Sequence, residues 1–307
     1  MRPRVVFMGS PECAVPFLEF CHRKTADIIV FTRPDKVRCR GTRPSETPVK
    51  KKSLALGLPV YDTPMKSDES YRVLTEFCPD LYLVVAYGQM LPERVLAIPR
   101  IAPLNVHFSL LPKYRGATPV QTAILNGDTV TGTTLIVMDK GLDTGDIVAQ
   151  AEISIAPDET TASLFGRLIT CSIELLEEHW EALCTGSFER RPQTGEASYT
   201  RIITKEDLLI DWTQSARNIY NLVRAYGFAP GVRARFRDKL LLIGETRLCP
   251  EIRGNPGEII AVGKHAFTVA CGDGGLMLTM VQPECKTYMS AASFIAGYRP
   301  QPGERLC

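Results

Sequence analysis

Two short stretches decide the fold of this chain and the place of its site: Asn105-Val106-His107-Phe108-Ser109-Leu110-Leu111-Pro112 and Leu142-Asp143-Thr144-Gly145-Asp146. Successive side chains on a strand point to opposite faces, so Asn105 and His107 share one face and Val106 takes the other. Two polar side chains on one face, with an apolar one behind them, are typical of a strand that ends at a cleft. We therefore expect a sheet strand that delivers Asn105 and His107 to a binding site.

An amide, an imidazole and a carboxylate are enough for acyl transfer without a nucleophile from the protein. Asn105 can donate a hydrogen bond to a carbonyl oxygen, and His107 can stabilise an oxyanion or move a proton. Asp143 can orient the histidine or accept a proton from an attacking amine. An Asn-x-His pair alone is weak evidence, because a histidine is more often a structural group. Of the four histidines, however, only His107 has a polar residue two positions away on a strand pattern.

The two stretches also carry a family resemblance. Residues 105–121 read Asn-Val-His-x-Ser-Leu-Leu-Pro-x-Tyr-Arg-Gly-Ala-x-Pro-x-Gln, and residues 138–146 read Met-Asp-Lys-Gly-Leu-Asp-Thr-Gly-Asp. This ordered pair of motifs resembles the folate-dependent formyltransferases, with one departure: Phe108 stands where the family usually carries a small residue or proline. The resemblance implies that the catalytic residues are Asn105, His107 and Asp143.

The resemblance further implies a reaction and its partners. The chain is most similar to the members that transfer a formyl group from 10-formyltetrahydrofolate to the α-amino group of methionine on initiator tRNA, for translation initiation. The co-substrate would be the folate, and no metal is expected. Folate contacts are implied for Gln89, Met90, Leu91, Ser109, Leu110, Leu111 and Pro112. Core packing is the alternative for Met90 and Leu91.

Charge is concentrated in one segment of an otherwise nearly neutral chain. The whole sequence carries a net charge of +2, whereas residues 33–52 carry eight Lys/Arg against two Asp/Glu, or +6, which leaves −4 for the remainder. Such a patch suits a phosphate-rich partner, and a solvated loop is the alternative. The resemblance places the acceptor end of tRNA against this loop, whose Cys39-Arg40-Gly41 matches the family form in part. The tRNA contacts it implies are Arg38, Arg40, Gly41 and Arg43.

The first half of the chain has the pattern of an α/β sheet. Residues 5–8 and 28–31 read as buried strands, and residues 11–23 between them read as a helix, which implies a right-handed crossover and parallel pairing. Residues 81–86 read as a central strand, with 87–91 beyond its carboxyl end, where ligands bind in such sheets. A Gly-x-Gly-x-x-Gly fingerprint is absent, so we expect no dinucleotide. The prediction is a doubly wound, mostly parallel, Rossmann-like sheet.

The second half changes character after a polar segment. At 307 residues, two domains are expected. Short strands separated by Gly and Asp turns follow residue 230, which predicts a smaller OB-like β-barrel. From residue 207 onward, twelve Lys/Arg outnumber nine Asp/Glu, a weak indication of RNA. We predict a catalytic domain at 1–186, a linker at 187–206 and a tRNA-binding domain at 207–307.

The ten cysteines and the amino terminus indicate a compartment. No Cys-x-x-Cys and no Cys/His cluster with zinc spacing occurs in the sequence. The apolar run at residues 5–8 is too short for a signal core or a membrane span. We therefore expect free thiols in a reducing cytoplasm, no membrane association and a monomer.

Two other functions remain open from the sequence. One is a formyltransferase for a small acceptor, such as glycinamide ribonucleotide or an amino-sugar nucleotide, because such enzymes share the Asn/His/Asp site. The basic loop and the second domain favour tRNA. The other is a non-catalytic RNA-binding protein with an inactive folate site, which the complete triad argues against.

Overall fold

The computed structural model describes residues 3–25, 27–35 and 45–307. These residues form two compact units. The first, called the sheet unit here, comprises Met1–Pro119, Val130–Ser154 and Leu164–Arg201. The second, called the barrel unit, comprises Val120–Thr129, Ile155–Ser163 and Ile202–Cys307.

A seven-stranded sheet forms the centre of the sheet unit within the described residues. Its order is β3-β2-β1-β4-β5-β6-β7. The first five strands pair in parallel, whereas β6 and β7 are antiparallel to their neighbours. The strands are β1 (Arg4–Gly9), β2 (Asp27–Phe31), β3 (Val60–Tyr61), β4 (Leu81–Val85), β5 (Ala102–His107), β6 (Val130–Val137) and β7 (Ile147–Ser154).

Six helices precede the strands of the barrel unit in the described part of the chain. Side-chain caps begin two of them: Thr47 accepts a hydrogen bond from Lys50 N, and Ser67 accepts one from Ser70 N. The helices are α1 (Val15–Lys24), α2 (Pro48–Ala55), α3 (Asp68–Phe77), α4 (Glu93–Leu96), α5 (Pro119–Leu125) and α6 (Thr161–Thr185). The sequence pattern predicts helices at 48–57, 68–77, 119–125 and 160–183, and these predictions agree with α2, α3, α5 and α6.

The sheet reverses its direction of winding between β1 and β4, and this places the site. Strand β1 lies between β2 and β4, and its side chains from Val5 to Met8 are fully buried. Ligands in open α/β sheets bind beyond the carboxyl ends of the strands at such a point. Gly9 ends β1 there, and a Cβ at Gly9 would lie 2.9 Å from the Ala14 Cβ, so glycine permits the close turn.

The barrel unit contains a six-stranded antiparallel sheet that the carboxyl-terminal residues close. Leu306 N donates to Gly257 O at 2.8 Å, and Cys307 N donates to Arg235 O at 3.0 Å, so this segment joins the two ends of the sheet. The strands are β8 (Val232–Phe236), β9 (Lys239–Cys249), β10 (Ile259–Val262), β11 (Phe267–Ala270), β12 (Gly275–Pro283) and β13 (Met289–Ser290). The predicted fold class, an α/β sheet followed by a smaller barrel, is confirmed.

Two further helices of the described chain lie wholly in the barrel unit, which also includes residues 120–125 of α5. The sequence pattern predicts a helix at residues 215–225, which corresponds to α7 (Ala216–Tyr226), and Ser215 caps it by accepting from Asn218 N. Helix α8 (Ala291–Tyr298) was not predicted. Its Phe294 is 1% exposed and stacks on Phe267 with ring centroids 5.6 Å apart, so this helix packs on the barrel through one buried face. No described helix of either unit combines the length and hydropathy of a membrane span.

Candidate active site

A cavity of about 420 Å³ opens at the carboxyl edge of the sheet, within the sheet unit. Four segments meet around it: the ends of β4 and β5, the turn at 116–119 and the loop 138–145. Two side chains from more distant parts of the chain, Cys13 and Phe165, complete the wall. All three residues predicted to be catalytic line this one cavity.

Strand β5 carries Asn105 and His107 to the cavity as the alternation of side chains predicts. Asn105 pairs with Ile136 and His107 with Thr134 on β6, so the register holds both on one face. The Asn105 side chain is half-buried and has no hydrogen-bond partner among the described residues. Its amide group is therefore available to a ligand carbonyl in the cavity.

His107 is held by both of its ring nitrogens. Nε2 lies 2.9 Å from Tyr114 O, and a carbonyl can only accept, so Nε2 carries a proton in this arrangement. Nδ1 lies 3.6 Å from Asp143 Oδ2. The His107 and Asp143 side chains are only 6% and 14% exposed, which weakens the screening between them. Nδ1 is thus the ring nitrogen that is available for catalysis, and it faces the Asp143 carboxylate.

The loop that presents Asp143 is tightly built. Asp143 has a left-handed backbone with φ of 53°, and its Oδ2 accepts a hydrogen bond from Gly116 N at 2.7 Å. A Cβ at Gly141 would lie 1.9 Å from Thr144 Oγ1, and a Cβ at Gly145 would lie 1.8 Å from Val137 O. Glycine at both positions lets the chain fold back so that the carboxylate faces the histidine.

The predicted folate segment after β4 lines the cavity, but its polar side chain is already engaged. Gln89 Oε1 accepts from Met65 N at 3.0 Å, and Gln89 Nε2 donates to Tyr87 Oη at 3.0 Å. Met90 is 58% exposed, so it is not a core residue, whereas Leu91 is 7% exposed and packs in the core of the sheet unit. Their contacts with folate stay a prediction.

The other predicted folate segment, residues 109–112, is not among the cavity-lining residues of the described chain. Ser109 is fully buried, and its Oγ donates to Lys113 O at 2.6 Å. Leu111 N donates to Thr134 Oγ1 at 3.1 Å, which ties this turn to β6. Leu110 and Pro112 continue the same turn. The segment is thus engaged in contacts within the protein, and a folate contact from it stays a prediction.

Phe108, Phe165 and Cys13 line the cavity although the sequence did not predict them as site residues. Phe108 was noted as a departure from the family pattern, and the structure packs its ring against Phe165 at 5.4 Å and Phe17 at 6.1 Å. The larger side chain thus extends the apolar wall. Cys13 also lines the cavity, and burial raises the pKa of its thiol to about 11. No local sequence pattern predicts the ring contacts of Phe108 or the place of Cys13 in the cavity wall.

The predicted tRNA residues Arg38, Arg40, Gly41 and Arg43 lie outside the described residues. At the border of that segment, Lys50 Nζ contacts Asp35 Oδ2 and Asp62 Oδ2, both at 2.8 Å. The pKa of Lys50 is raised to about 12, chiefly by its hydrogen bond to Asp35 and then by that to Asp62. Among the residues that the structure describes, no group of three His, Cys, Asp or Glu side chains could hold a metal ion.

Comparisons with known proteins identify the family. Residues 3–178 match the formyl transferase family, and residues 202–299 match the formyl transferase C-terminal domain. Methionyl-tRNA formyltransferase of Myxococcus xanthus is 40% identical over 99% of this chain and 98% of that protein. The chain belongs to the methionyl-tRNA formyltransferase family. The Geobacter metallireducens member is also 40% identical, over 98% of each chain.

Solved structures agree with this family on the fold. HypX from Aquifex aeolicus, in complex with tetrahydrofolic acid, superposes with a TM-score of 0.70 at 19% identity. The match covers 99% of this chain and 49% of HypX, so this chain spans about half of that protein. WlaRD, a sugar 3N-formyl transferase, has a TM-score of 0.68 at 20% identity, over 94% of this chain and 100% of its own.

Proposed function

We propose that the chain transfers the formyl group of 10-formyltetrahydrofolate to the α-amino group of methionine esterified to initiator tRNA. The observation that carries the proposal is the single cavity in which Asn105, His107 and Asp143 converge at the end of β5. Membership of the methionyl-tRNA formyltransferase family supports both the folate and the tRNA substrate. A monomeric state and a cytoplasmic location stay predictions.

The cavity has the two kinds of wall that a folate needs. The larger apolar residues of the lining are Leu91, Phe108, Ile136, Met138 and Phe165. A flat heterocycle buries well against such side chains, while main-chain groups of residues 86–91 and 139–145 can meet its polar edge. The polar trio, with the unpartnered Asn105 amide, lines the same cavity. We therefore place the ring in the apolar part and the formyl carbon at the trio.

Asn105 and His107 act on the formyl oxygen in this proposal. The Asn105 amide donates to that oxygen, and a proton on His107 Nδ1 adds a second donor as negative charge develops. One such donor typically lowers a barrier by ~3–4 kcal/mol. The hydrogen bond from Nε2 to Tyr114 O holds the imidazole ring, so little reorganisation accompanies the step.

Asp143 accepts the proton of the attacking amine in this proposal. The amine nitrogen forms a bond to the formyl carbon and must lose one proton, while the folate nitrogen N10 leaves that carbon and must gain one. The carboxylate of Asp143 accepts the first proton, directly or through one water, and faces Nδ1 of His107 across 3.6 Å. The pair can then return a proton to N10, so the reaction balances without another reactant.

The tRNA is proposed to meet the basic segment at 33–52. Arg38, Arg40 and Arg43 would contact its phosphates, with Gly41 allowing close approach of the backbone. Net charge of +3 from residue 207 onward supports a further contact through the barrel unit.

The proposal is tested by following labelled formyl from 10-formyltetrahydrofolate to methionyl-tRNA, with initiator and elongator species in parallel. Transfer to the initiator alone is expected. Transfer to neither tRNA, with tetrahydrofolate still bound, would overturn the tRNA assignment and leave a small acceptor.

The catalytic assignment is tested by Asp143→Asn. This nearly isosteric change removes the proton acceptor, and kcat is expected to fall by about 10²–10⁴-fold. Asp146→Asn is the matched control, because Asp146 lies in the same loop and outside the cavity lining. Equal activity of the two variants would contradict the role given to Asp143, provided that circular dichroism shows both folded.

A further inference from the structure

The 114–116 turn and the loop 138–145 position His107 and Asp143, which we call the catalytic pair. A third segment, residues 193–200, which we call the strap, contacts both of these loops. These residues belong to the sheet unit. Gln193 Nε2 lies 2.8 Å from both Asp143 O and Gly145 O, and its amide can donate to both. Gln193 Oε1 accepts from Arg115 Nε at 3.2 Å and from Arg115 Nη2 at 2.7 Å. One side chain thus joins the Asp143 loop to the 114–116 turn.

The rest of the strap runs beside the 114–116 turn. Arg115 N donates to Ser198 O at 2.9 Å, and Thr200 N donates to Arg115 O at 2.8 Å. Tyr114 N donates to Ser198 Oγ at 2.9 Å. A Cβ at Gly116 would lie 2.7 Å from Thr200 Oγ1, so the two chains are in close contact. This turn cannot shift without moving the strap.

The geometry of the catalytic pair depends on these two loops. Tyr114 O fixes His107 Nε2 on one side, and Gly116 N fixes Asp143 Oδ2 on the other. Asp143 also holds a φ of 53°, a conformation that costs a non-glycine residue free energy and persists only when its surroundings impose it. The hydrogen bond that Asp143 O accepts from Gln193 is one such constraint, because it fixes the peptide that follows Asp143.

We propose that Gln193 is a positioning residue that keeps the Asp143 carboxylate opposite His107 Nδ1. It acts through the main chain of the Asp143 loop and through Arg115, and it is not among the residues that line the cavity. The proposal rests on the proposed function, since it gives Gln193 a role only if Asp143 has one. Displacement of the carboxylate by about 1 Å is expected to cost on the order of 10²-fold in rate.

Two substitutions at Gln193 separate its contacts. Gln193→Met keeps the length of the side chain and removes every hydrogen bond, and we expect kcat to fall by about 10–100-fold. Gln193→Glu keeps the acceptor for Arg115 but turns an oxygen towards two carbonyl oxygens, so a comparable loss is expected. Thr194→Met is the control, because Thr194 is the exposed neighbour in the same strap. Wild-type kcat in Gln193→Met or in Gln193→Glu would overturn the proposal.

A double-mutant cycle separates positioning from general damage to the fold. In the Asp143→Asn background, Gln193→Met should lower kcat by less than about 3-fold, because the group that Gln193 positions is already gone. If Gln193→Met lowers kcat by the same factor in the wild-type and Asp143→Asn backgrounds, its role is merely structural and the proposal is overturned. Failure of the proposed function looks different: Asp143→Asn alone would then keep its turnover, whatever Gln193→Met does.

Discussion

At the scale of single residues, Asn105 is the donor whose contribution can be measured most directly. Its side chain has no hydrogen-bond partner among the described residues, so replacing it disturbs little of the folded protein. Asn105→Asp is nearly isosteric, but it puts a carboxylate where negative charge develops on the formyl oxygen. We expect kcat to fall by about 10²–10³-fold with the melting temperature almost unchanged. A variant that turns over normally would remove Asn105 from the mechanism.

Cys13 is a second residue whose environment leads to a testable prediction. Burial raises the pKa of its thiol from 9.0 to about 11, so less thiolate is present at any pH below that value. At pH 8 the thiolate fraction is about 100-fold lower than for a thiol of pKa 9.0. Peptide mapping after iodoacetamide treatment should therefore show Cys13 modified far more slowly than the exposed Cys285, with the rate rising as pH approaches 11. Equal rates at pH 8 would contradict the burial of Cys13.

At the scale of elements, the loop between β6 and β7 is the piece whose backbone shape matters most. A Cβ on Gly145 would meet Val137 O at 1.8 Å, so Gly145→Ala must displace the loop that presents Asp143. We expect a loss of kcat of about 10-fold or more, by misplacement of the carboxylate. Gly166→Ala in α6 is the control, since nothing lies within 4 Å of a Cβ there.

The control has an expectation of its own. Alanine in a helix interior is more favourable than glycine by about 0.5–1 kcal/mol, so Gly166→Ala should raise the free energy of unfolding and leave kcat unchanged. Urea denaturation and steady-state assays measure both. If Gly145→Ala behaves like Gly166→Ala, the loop is not constrained as described.

The carboxyl-terminal segment is the other element with a clear structural role. Ile259 N donates to Glu304 O at 2.8 Å and Leu306 N to Gly257 O at 2.8 Å, and Leu306 is 2% exposed. Deletion of residues 304–307 removes these bonds and leaves two unpaired sheet edges in the barrel unit. We expect a lower melting temperature and concentration-dependent aggregation, measured by calorimetry and light scattering. An unchanged melting temperature would show that the barrel does not need this closure.

At the scale of the whole molecule, charge distribution predicts how tRNA binding responds to salt. Each phosphate neutralised by Lys or Arg steepens the decline of log K with log salt by about 0.7–0.9. Joint replacement of Arg38, Arg40 and Arg43 by Ala should therefore flatten this slope by about two units. The control replaces Arg23, Lys66 and Arg72, which are exposed and remote in sequence from that segment, and it changes net charge equally. Equal slopes for the two triple variants would place the tRNA elsewhere.

The accuracy of the sequence predictions varied with how local the signal was. Helix α3 was predicted with both bounds correct, because Ser67 caps it and its apolar residues recur with helical spacing. Helix α8 was missed: its run Ala-Ala-Ser-Phe-Ile-Ala-Gly-Tyr is apolar on nearly all sides, and such a run shows no helical period. The run Leu-Leu-Leu-Ile predicts a strand at 240–243, but β9 extends to Cys249 because pairing with β12 sustains it.

The sequence by itself determined the alternation that puts Asn105 and His107 on one face of β5, because strand geometry repeats every two residues. It also determined the chemistry that these side chains can perform. Only the tertiary structure decided that Asp143 faces His107 Nδ1 and that Gln89 accepts a hydrogen bond from Met65 N. It also decided that the 193–200 strap holds the catalytic loops. The physical reason is that these contacts join segments that no local rule connects; they form when the packed sheet brings its loops to one edge.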